Sequence, residues 1–295
     1  DPDFKKNHFI KHLPVRDPEE MKEEGYYEKY RVVFPEVGKE YNMEVKLKKE
    51  GEALHYTLFN SLDTGYDTWY VRVTDSCVVF AHGHYKTEGS AVSDEKHGIY
   101  YLDKEGNVLW HKHTDYAVWG IDVSEDGSLV FAMQLREENG FMLDRNGNIL
   151  WETTPKLGWP EHVESREVKI SHNKRYVAVG GGDGKLYLAN ATTGKVLWIT
   201  DLRGQIRQIY FTKDDNTIYA SSGDGYLYKI DVKTGSIIGK VYVEAWLYRN
   251  SLSISENEKY AITVSKIGRA SFVDLENMKV IWYFDTRGGG HATSM

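Results

Sequence analysis

Apolar and polar residues alternate at period two in short runs along most of this chain, and the runs are separated by clusters of Asp, Asn, Gly, Ser or Glu. YDTWYVRVTDSCVVFAHG from Tyr66, VWGIDVSEDGSLVFA from Val118, REVKISHNKRYVAVGG from Arg166, RQIYFTKDDNTIYASS from Arg207 and NSLSISENEKYAITVS from Asn250 each read as strand, polar turn, strand. Period two places one face of a strand in a core and the other toward polar surroundings. Each run is followed by a second strand pair: GIYYLDKEGNVLW from Gly98, NGFMLDRNGNILW from Asn139, GKLYLANATTGKVLW from Gly184, GYLYKIDVKTGSIIG from Gly225 and GRASFVDLENMKVIW from Gly268. Their closing positions Trp110, Trp151, Trp198, Gly239 and Trp282 are 41, 47, 41 and 43 residues apart, the period of a four-stranded propeller blade.

The pattern predicts an all-β propeller of four-stranded antiparallel blades. Five are complete, at about 66–112, 118–154, 166–201, 207–243 and 250–284. Gly182-Asp183-Gly184 and Gly223-Asp224-Gly225 join second strands to third strands, while Gly106-Asn107, Gly147-Asn148, Thr193-Gly194 and Thr234-Gly235 join third to fourth. Tight hairpins need positive φ, which these residue types tolerate. Sheets with two apolar faces must stack, and Trp110, Trp151, Trp198 and Trp282 are the expected docking wedges between them.

The ends suggest a sixth blade. Strands within 30–34, 41–48 and 53–59 would combine with one beginning at Gly290 and lock the ring shut; the competing expectation is a longer protein with more blades. Residues 1–29 form a charged N-terminal segment ahead of a propeller domain at 30–295, and Asp17-Pro18 can open a short helix there. That segment reads as a tail against a blade, or as a docking element for another subunit. A third organisation is one domain of a larger surface or filament protein, with the charged segment as its joint.

Composition narrows the function classes. A net charge of -7 without a basic run argues against a nucleic-acid partner. Cys77 is the only thiol, which excludes an intrachain disulfide and a Cys-based zinc site, and no apolar stretch is long enough to span a membrane. The start at Asp1 suits a mature chain after removal of a signal peptide or a trimmed form, and with 21 tyrosines and the sequon Asn190-Ala191-Thr192 it leans the expectation toward an extracytoplasmic protein, secreted or on the cell surface.

The run Gly184-Lys185-Leu186-Tyr187-Leu188-Ala189-Asn190-Ala191-Thr192-Thr193-Gly194-Lys195-Val196-Leu197-Trp198 resembles the repeat of quinoprotein-like (pyrroloquinoline-quinone-like) β-propellers. The stretch from Gly225 repeats it with Asp231, Thr234 and Gly235, and Asp103, Asp144 and Asp274 carry it more loosely into the other units. The resemblance implies the fold and spans enzymes, assembly scaffolds and binding proteins. The quinone-dependent enzymes of that group carry adjacent cysteines and a calcium-binding carboxylate cluster, which this chain lacks; no cofactor and no catalytic residue is carried over. WD-repeat propellers are the second choice by period, although no unit ends in Trp-Asp and Gly-His occurs only at Gly83-His84 and Gly290-His291.

Two constellations carry candidate chemistry. His82-Gly83-His84 and His111-Lys112-His113, with His97 nearby, put imidazoles two apart on strand ends, where each pair can face one Zn or Cu ion; the alternative is solvated strand-end histidines. Arg166, Arg207 and Arg249 start successive units, where innermost strands face a central channel, and Trp119 and Trp246 lie near them. Guanidinium groups there can hold a carboxylate, sulfate or phosphate, or else pair with neighbouring carboxylates and fill the channel. The loop from Lys86 to His97 is either a binding rim or a surface insertion, and the Asp-rich turns at Ser124 and Asp214 are turn chemistry rather than calcium loops. No Ser-His-Asp ordering, phosphate loop or metalloprotease motif is recognisable. The expected function is a non-enzymatic scaffold that binds a protein partner or a second copy of itself; the alternative is an enzyme or small-ligand binder at the channel mouth.

Overall fold

The computed structural model describes residues 30–36, 39–45, 68–82, 97–134, 139–161, 163, 165–244 and 247–285. The chain divides into two compact units, Asp1–Phe59 and Asn60–Met295. In the first, β1 (Tyr30–Glu36) and β2 (Lys39–Val45) pair as an antiparallel hairpin, Phe34 opposite Tyr41. The expected strands at 53–59 and from Gly290, and the helix after Asp17, lie outside the described residues.

The second unit contains five four-stranded antiparallel sheets whose strands follow chain order. They are β3 (Thr68–Val73), β4 (Cys77–His82), β5 (His97–Asp103) and β6 (Val108–Thr114); β7 (Val118–Val123), β8 (Leu129–Gln134), β9 (Gly140–Asp144) and β10 (Ile149–Glu152); β11 (Ser165–Ile170), β12 (Tyr176–Gly181), β13 (Lys185–Asn190) and β14 (Val196–Asp201); β15 (Ile206–Phe211), β16 (Thr217–Ser222), β17 (Tyr226–Asp231) and β18 (Ile237–Tyr242); and β19 (Leu247–Ile254), β20 (Tyr260–Ser265), β21 (Arg269–Asp274) and β22 (Lys279–Asp285). The helical content among the described residues is one 3₁₀ turn, Pro155–Leu157. First strands lie against one another in succession, β3 on β7, β7 on β11, β11 on β15 and β15 on β19. This is the propeller that the repeat period predicts.

The core lies between the sheets, because each sheet is apolar on both faces. Tyr101, Ile99 and Val79 of the first sheet pack on Ile121, Val130 and Leu143 of the second, and Leu186 and Leu188 of the third pack on Ile209, Ile218 and Ile230 of the fourth. Fully burying one such aliphatic side chain stabilises by about 1.5–3 kcal/mol.

The seams between sheets are size-matched. Trp110 Nε1 donates to Arg145 O at 2.9 Å, Trp151 Nε1 to Ala191 O at 2.8 Å and Trp198 Nε1 to Val232 O at 2.8 Å, so each indole reaches a turn of the next sheet. The ring then lies against Gly147, Gly194 or Gly235 in that turn. Gly235 illustrates why glycine is needed: its φ is +71°, and a methyl group there would come within 2.7 Å of the Trp198 ring. The fourth repeat reverses the sizes. It closes on Gly239, and the turn residue of the following sheet is Met278, also at positive φ (48°), with its Cγ 2.8 Å from where a Gly239 Cβ would sit. Trp282 stacks on Phe272 of its own sheet, with ring centroids 5.1 Å apart.

Bulges recur at two places in the repeat. The first strand of each sheet shifts register near its start, between Thr68 and Tyr70, Val118 and Gly120, Ser165 and Glu167, Ile206 and Gln208, and Leu247 and Leu252. The fourth strand shifts beside its closing residue, leaving Leu109, Leu150, Leu197 and Ile238 as exposed aliphatics on the outer strands. A bulge kinks an edge strand and blunts it against pairing with another chain.

Candidate functional site

Antiparallel order sets the start of a first strand, the second-to-third turn and the end of the fourth strand at one end of each sheet: Ile206 pairs with Ser222, Leu227 with Ser221, and Tyr226 with Tyr242. An open cleft of about 430 Å³ forms at that end where the third, fourth and fifth sheets meet. Asp183, Arg203, Gln205, Arg207, Asp224 and Leu247 are among the residues lining it. Successive repeats supply the same parts. Asp183 accepts from Tyr187 Oη at 2.8 Å and from Lys185 N, and Asp224 accepts from Tyr228 Oη at 2.6 Å and from Tyr226 N. Burial, and then the Asp224 carboxylate, push the Tyr228 phenol well above its ordinary pKa, so it remains a donor.

Arg203 stands on the exit from β14 at φ +64°, held by its N–H to Asp201 Oδ1 at 2.7 Å. The adjoining Gly204 lets that exit approach the next turn: a Cβ there would lie 2.4 Å from Asp224 N. Arg207 is the bulge residue of β15, and its Nε lies beside Gly223. The mouth therefore mixes two guanidinium groups with two carboxylates instead of presenting a ring of like charge.

Of the residues expected at the channel mouth, the structure brings Arg207 into this cleft. Trp119 is the corresponding bulge residue of β7 and is half-buried. Arg166 occupies the bulge of β11 and Arg249 that of β19, but their side chains, like Trp246, lie outside the described residues. Sequence reading missed Arg203 and the acidic turns as one set; the parallel between Gly182-Asp183-Gly184 and Gly223-Asp224-Gly225 was the available signal.

A second set lies toward the opposite end of the first strands. Arg72 Nε meets Asp122 Oδ1 at 3.1 Å and Arg72 Nη2 meets Glu167 Oε1 at 3.2 Å; Lys169 Nζ also reaches Asp122 Oδ1 at 3.2 Å, and Ile170 N donates to Asp122 Oδ2 at 2.8 Å. These residues come from β3, β7 and β11, and Arg72, Asp122 and Lys169 line a smaller cleft of about 220 Å³. Burial raises the Glu167 carboxyl to about 7, against the opposing pull of Arg72 and Lys169. Arginine–carboxylate pairing of the kind considered for the channel occurs at Arg72.

The expected histidine cluster is rearranged. His82 and His111 meet across strands with Nε2 to Nε2 at 3.0 Å, His82 buried and His111 exposed. Gly98 leaves the space: a Cβ there would fall 2.4 Å from His111 Nε2 and 2.9 Å from His82 Nε2. Tyr100 stacks on His111 with centroids 4.1 Å apart. His82 is pushed down to about 4 by burial first and then by His111, His97 and His113; His111 is lowered by burial and by His113. His84 lies outside the described residues. Among the described residues, no group of three or more His, Cys, Asp or Glu is arranged to hold a metal ion.

The family model described as "Outer membrane protein assembly factor BamB" matches residues 141–289, just over half of the chain. The crystal structure of BamB from Moraxella catarrhalis superposes with a TM-score of 0.54 at 19% identity, covering 74% of this chain and 62% of that one, a likeness of fold. The human U3 small nucleolar RNA-associated protein 18 homolog is 28% identical over 103 residues, 35% of this chain and 18% of that protein. The chain thus spans less than two thirds of either relative. No helix among the described residues is long and apolar enough to cross a membrane. The repeat signature, the five stacked sheets and the extent of the family match establish that the chain belongs to the pyrroloquinoline-quinone-like repeat family described as outer membrane protein assembly factor BamB.

Proposed function

We propose that this chain is a non-enzymatic, extracytoplasmic binding propeller that docks a protein partner at the mouth formed by its third, fourth and fifth sheets. The observation that carries this reading is the 430 Å³ cleft in which Arg203 and Arg207 stand with Asp183 and Asp224. Interspersed opposite charges on a rigid rim suit a protein surface of complementary pattern, fixing orientation and suppressing wrong partners. The family description supports assembly work and export. The human relative is named for an RNA-associated role, but a net charge of -7 and the acidic share of the mouth disfavour a phosphate backbone as partner.

A second reading has its own support, since small-ligand pockets commonly occupy about 300–1,000 Å³. In that case Arg203 and Arg207 hold a carboxylate or another anion.

Light scattering and passage over an envelope extract of the protein's own cells test the proposal, using the parent chain, Arg203→Glu and Arg207→Ala. The parent retains a defined protein or forms a dimer, and both variants lose the association while keeping the parent melting temperature. A strict monomer that binds no protein, or variants that bind as the parent does, would overturn it; anion binding without protein binding would favour the second reading.

A further inference from the structure

We propose that the smaller cleft, where the first strands of four successive sheets end, holds one small oxyanion or carboxylate on Arg72 and Lys169. Its walls come from the ends of β3, β7, β11 and β15, away from the mouth that carries Arg203 and Arg207. Arg72, Asp122, Lys169 and Tyr210 occupy one position of the repeat, each paired with the third residue of the following strand: Val79, Phe131, Ala178 and Tyr219. Equivalent register brings them to one level around the cleft. Its volume of about 220 Å³ leaves room for an ion of a few heavy atoms and several waters, since a water takes about 30 Å³.

The layering of charge selects an anion. The side chains of Asp122 and Glu167 are 7% and 5% exposed, whereas those of Arg72 and Lys169 are 21% and 32% exposed, so an entering ion meets N–H donors before carboxylates. Arg72 spends donors on Asp122, Glu167 and Val71 O, and Lys169 spends one on Asp122. A guanidinium and an ammonium offer more donors than these contacts use, which leaves some on both cations for oxygen acceptors. The buried carboxylates hold the two cations in place and so prepare the site. Tyr210 forms a wall, its Oη committed to Glu258 Oε1 at 3.0 Å, and at the rim exposed Glu125 stands 3.7 Å from His172 Nε2. The charged groups facing Glu167 are Arg72 from β3, Asp122 from β7 and Lys169 on its own strand. Glu167 is neutral below about pH 7, and the two cations then share the single Asp122 carboxylate. An added anion favours that neutral form, so binding strengthens as pH falls.

Isothermal titration of the full chain with sodium sulfate and with sodium acetate is the test, at an ionic strength held constant with sodium chloride. Neither probe changes its charge between pH 6 and pH 8, and the pair separates a tetrahedral oxyanion from a planar carboxylate. The expected result is saturable binding of one ion per chain, about tenfold tighter at pH 6 than at pH 8. Lys169→Gln should weaken it by about tenfold or more at pH 6. Glu167→Gln should bind equally at both pH values, while His172→Gln keeps the pH dependence of the parent. Lys169 is partly exposed, so its variant keeps the fold and carries the test if Glu167→Gln fails to fold. No saturable binding of either probe at pH 6, or binding undiminished in Lys169→Gln, would overturn the proposal. So would a pH dependence that survives Glu167→Gln or disappears in His172→Gln.

Discussion

At the scale of single residues, the seam between repeats depends on a pair of sizes. Trp198 against Gly235 and Gly239 against Met278 fill the same place in successive seams with the bulk moved from one side to the other. Gly239→Trp alone should drive an indole into Met278 and cost about 1–3 kcal/mol. Met278→Gly alone should remove a packed side chain. The double variant rebuilds the Trp–Gly seam, and a denaturation cycle should show favourable coupling of at least about 1 kcal/mol; simple additivity would show that the two positions are unrelated. The indole half of this code was readable as a period in Trp110, Trp151 and Trp198. The exchange at Gly239 was not readable from the period, because its compensation sits 39 residues on, in the turn at Met278, and becomes visible only when that turn is matched with Thr234-Gly235.

At the scale of elements, the first strands are joined by charge as well as by apolar packing. The Asp122 carboxylate receives Arg72 from β3 and both Lys169 and the Ile170 amide from β11, so it ties three sheets together. Asp122→Ala takes the acceptor from the Lys169 ammonium and the Ile170 amide and leaves Arg72 with Glu167, and should cost about 3 kcal/mol in chemical denaturation. Glu167 gives a pH signature. Its carboxyl is raised from 4.5 to about 7, so the folded chain binds the proton more tightly than the unfolded one; stability from this group is full below about pH 4.5 and is lost as pH rises toward 7. Glu167→Gln should remove that loss, so the variant gains on the parent between denaturation curves at pH 5 and pH 8. An equal difference at both pH values would contradict the assignment. Strand positions and turns were legible from alternation and Gly-Asp clusters. The bulges and this network were not, because register depends on the partner strand and the charged residues come from separate repeats without a shared residue type. The histidines show the same limit: spacing suggested pairing within His-x-His, whereas the rings of His82 and His111 meet beside Gly98, although the register sets His113 opposite that glycine and His111 opposite Tyr100.

At the scale of the whole molecule, five repeats of one strand plan leave, among the described residues, outer strands and a charged mouth as available surface beside the smaller cleft at Asp122. The outer strands offer Leu109, Leu150, Leu197 and Ile238 beside bulges that discourage strand addition, and the mouth of the third to fifth sheets offers a cleft with charges of both signs. Repetition explains why the mouth is built: each turn that carries Asp183 or Asp224 is a hairpin the sheet requires, and each bulge that carries Arg207 or its counterparts is part of the first strand's geometry. Binding at the mouth therefore leaves the seams untouched, which is why Arg203 and Arg207 variants are expected to separate association from stability. The most direct measurement is hydrogen exchange on the chain alone and bound to the protein it retains from its own cells. The account predicts new protection at 182–184, 203–207 and 223–225; protection confined to the outer strands β6, β10, β14 and β18, with the mouth unchanged, would contradict it.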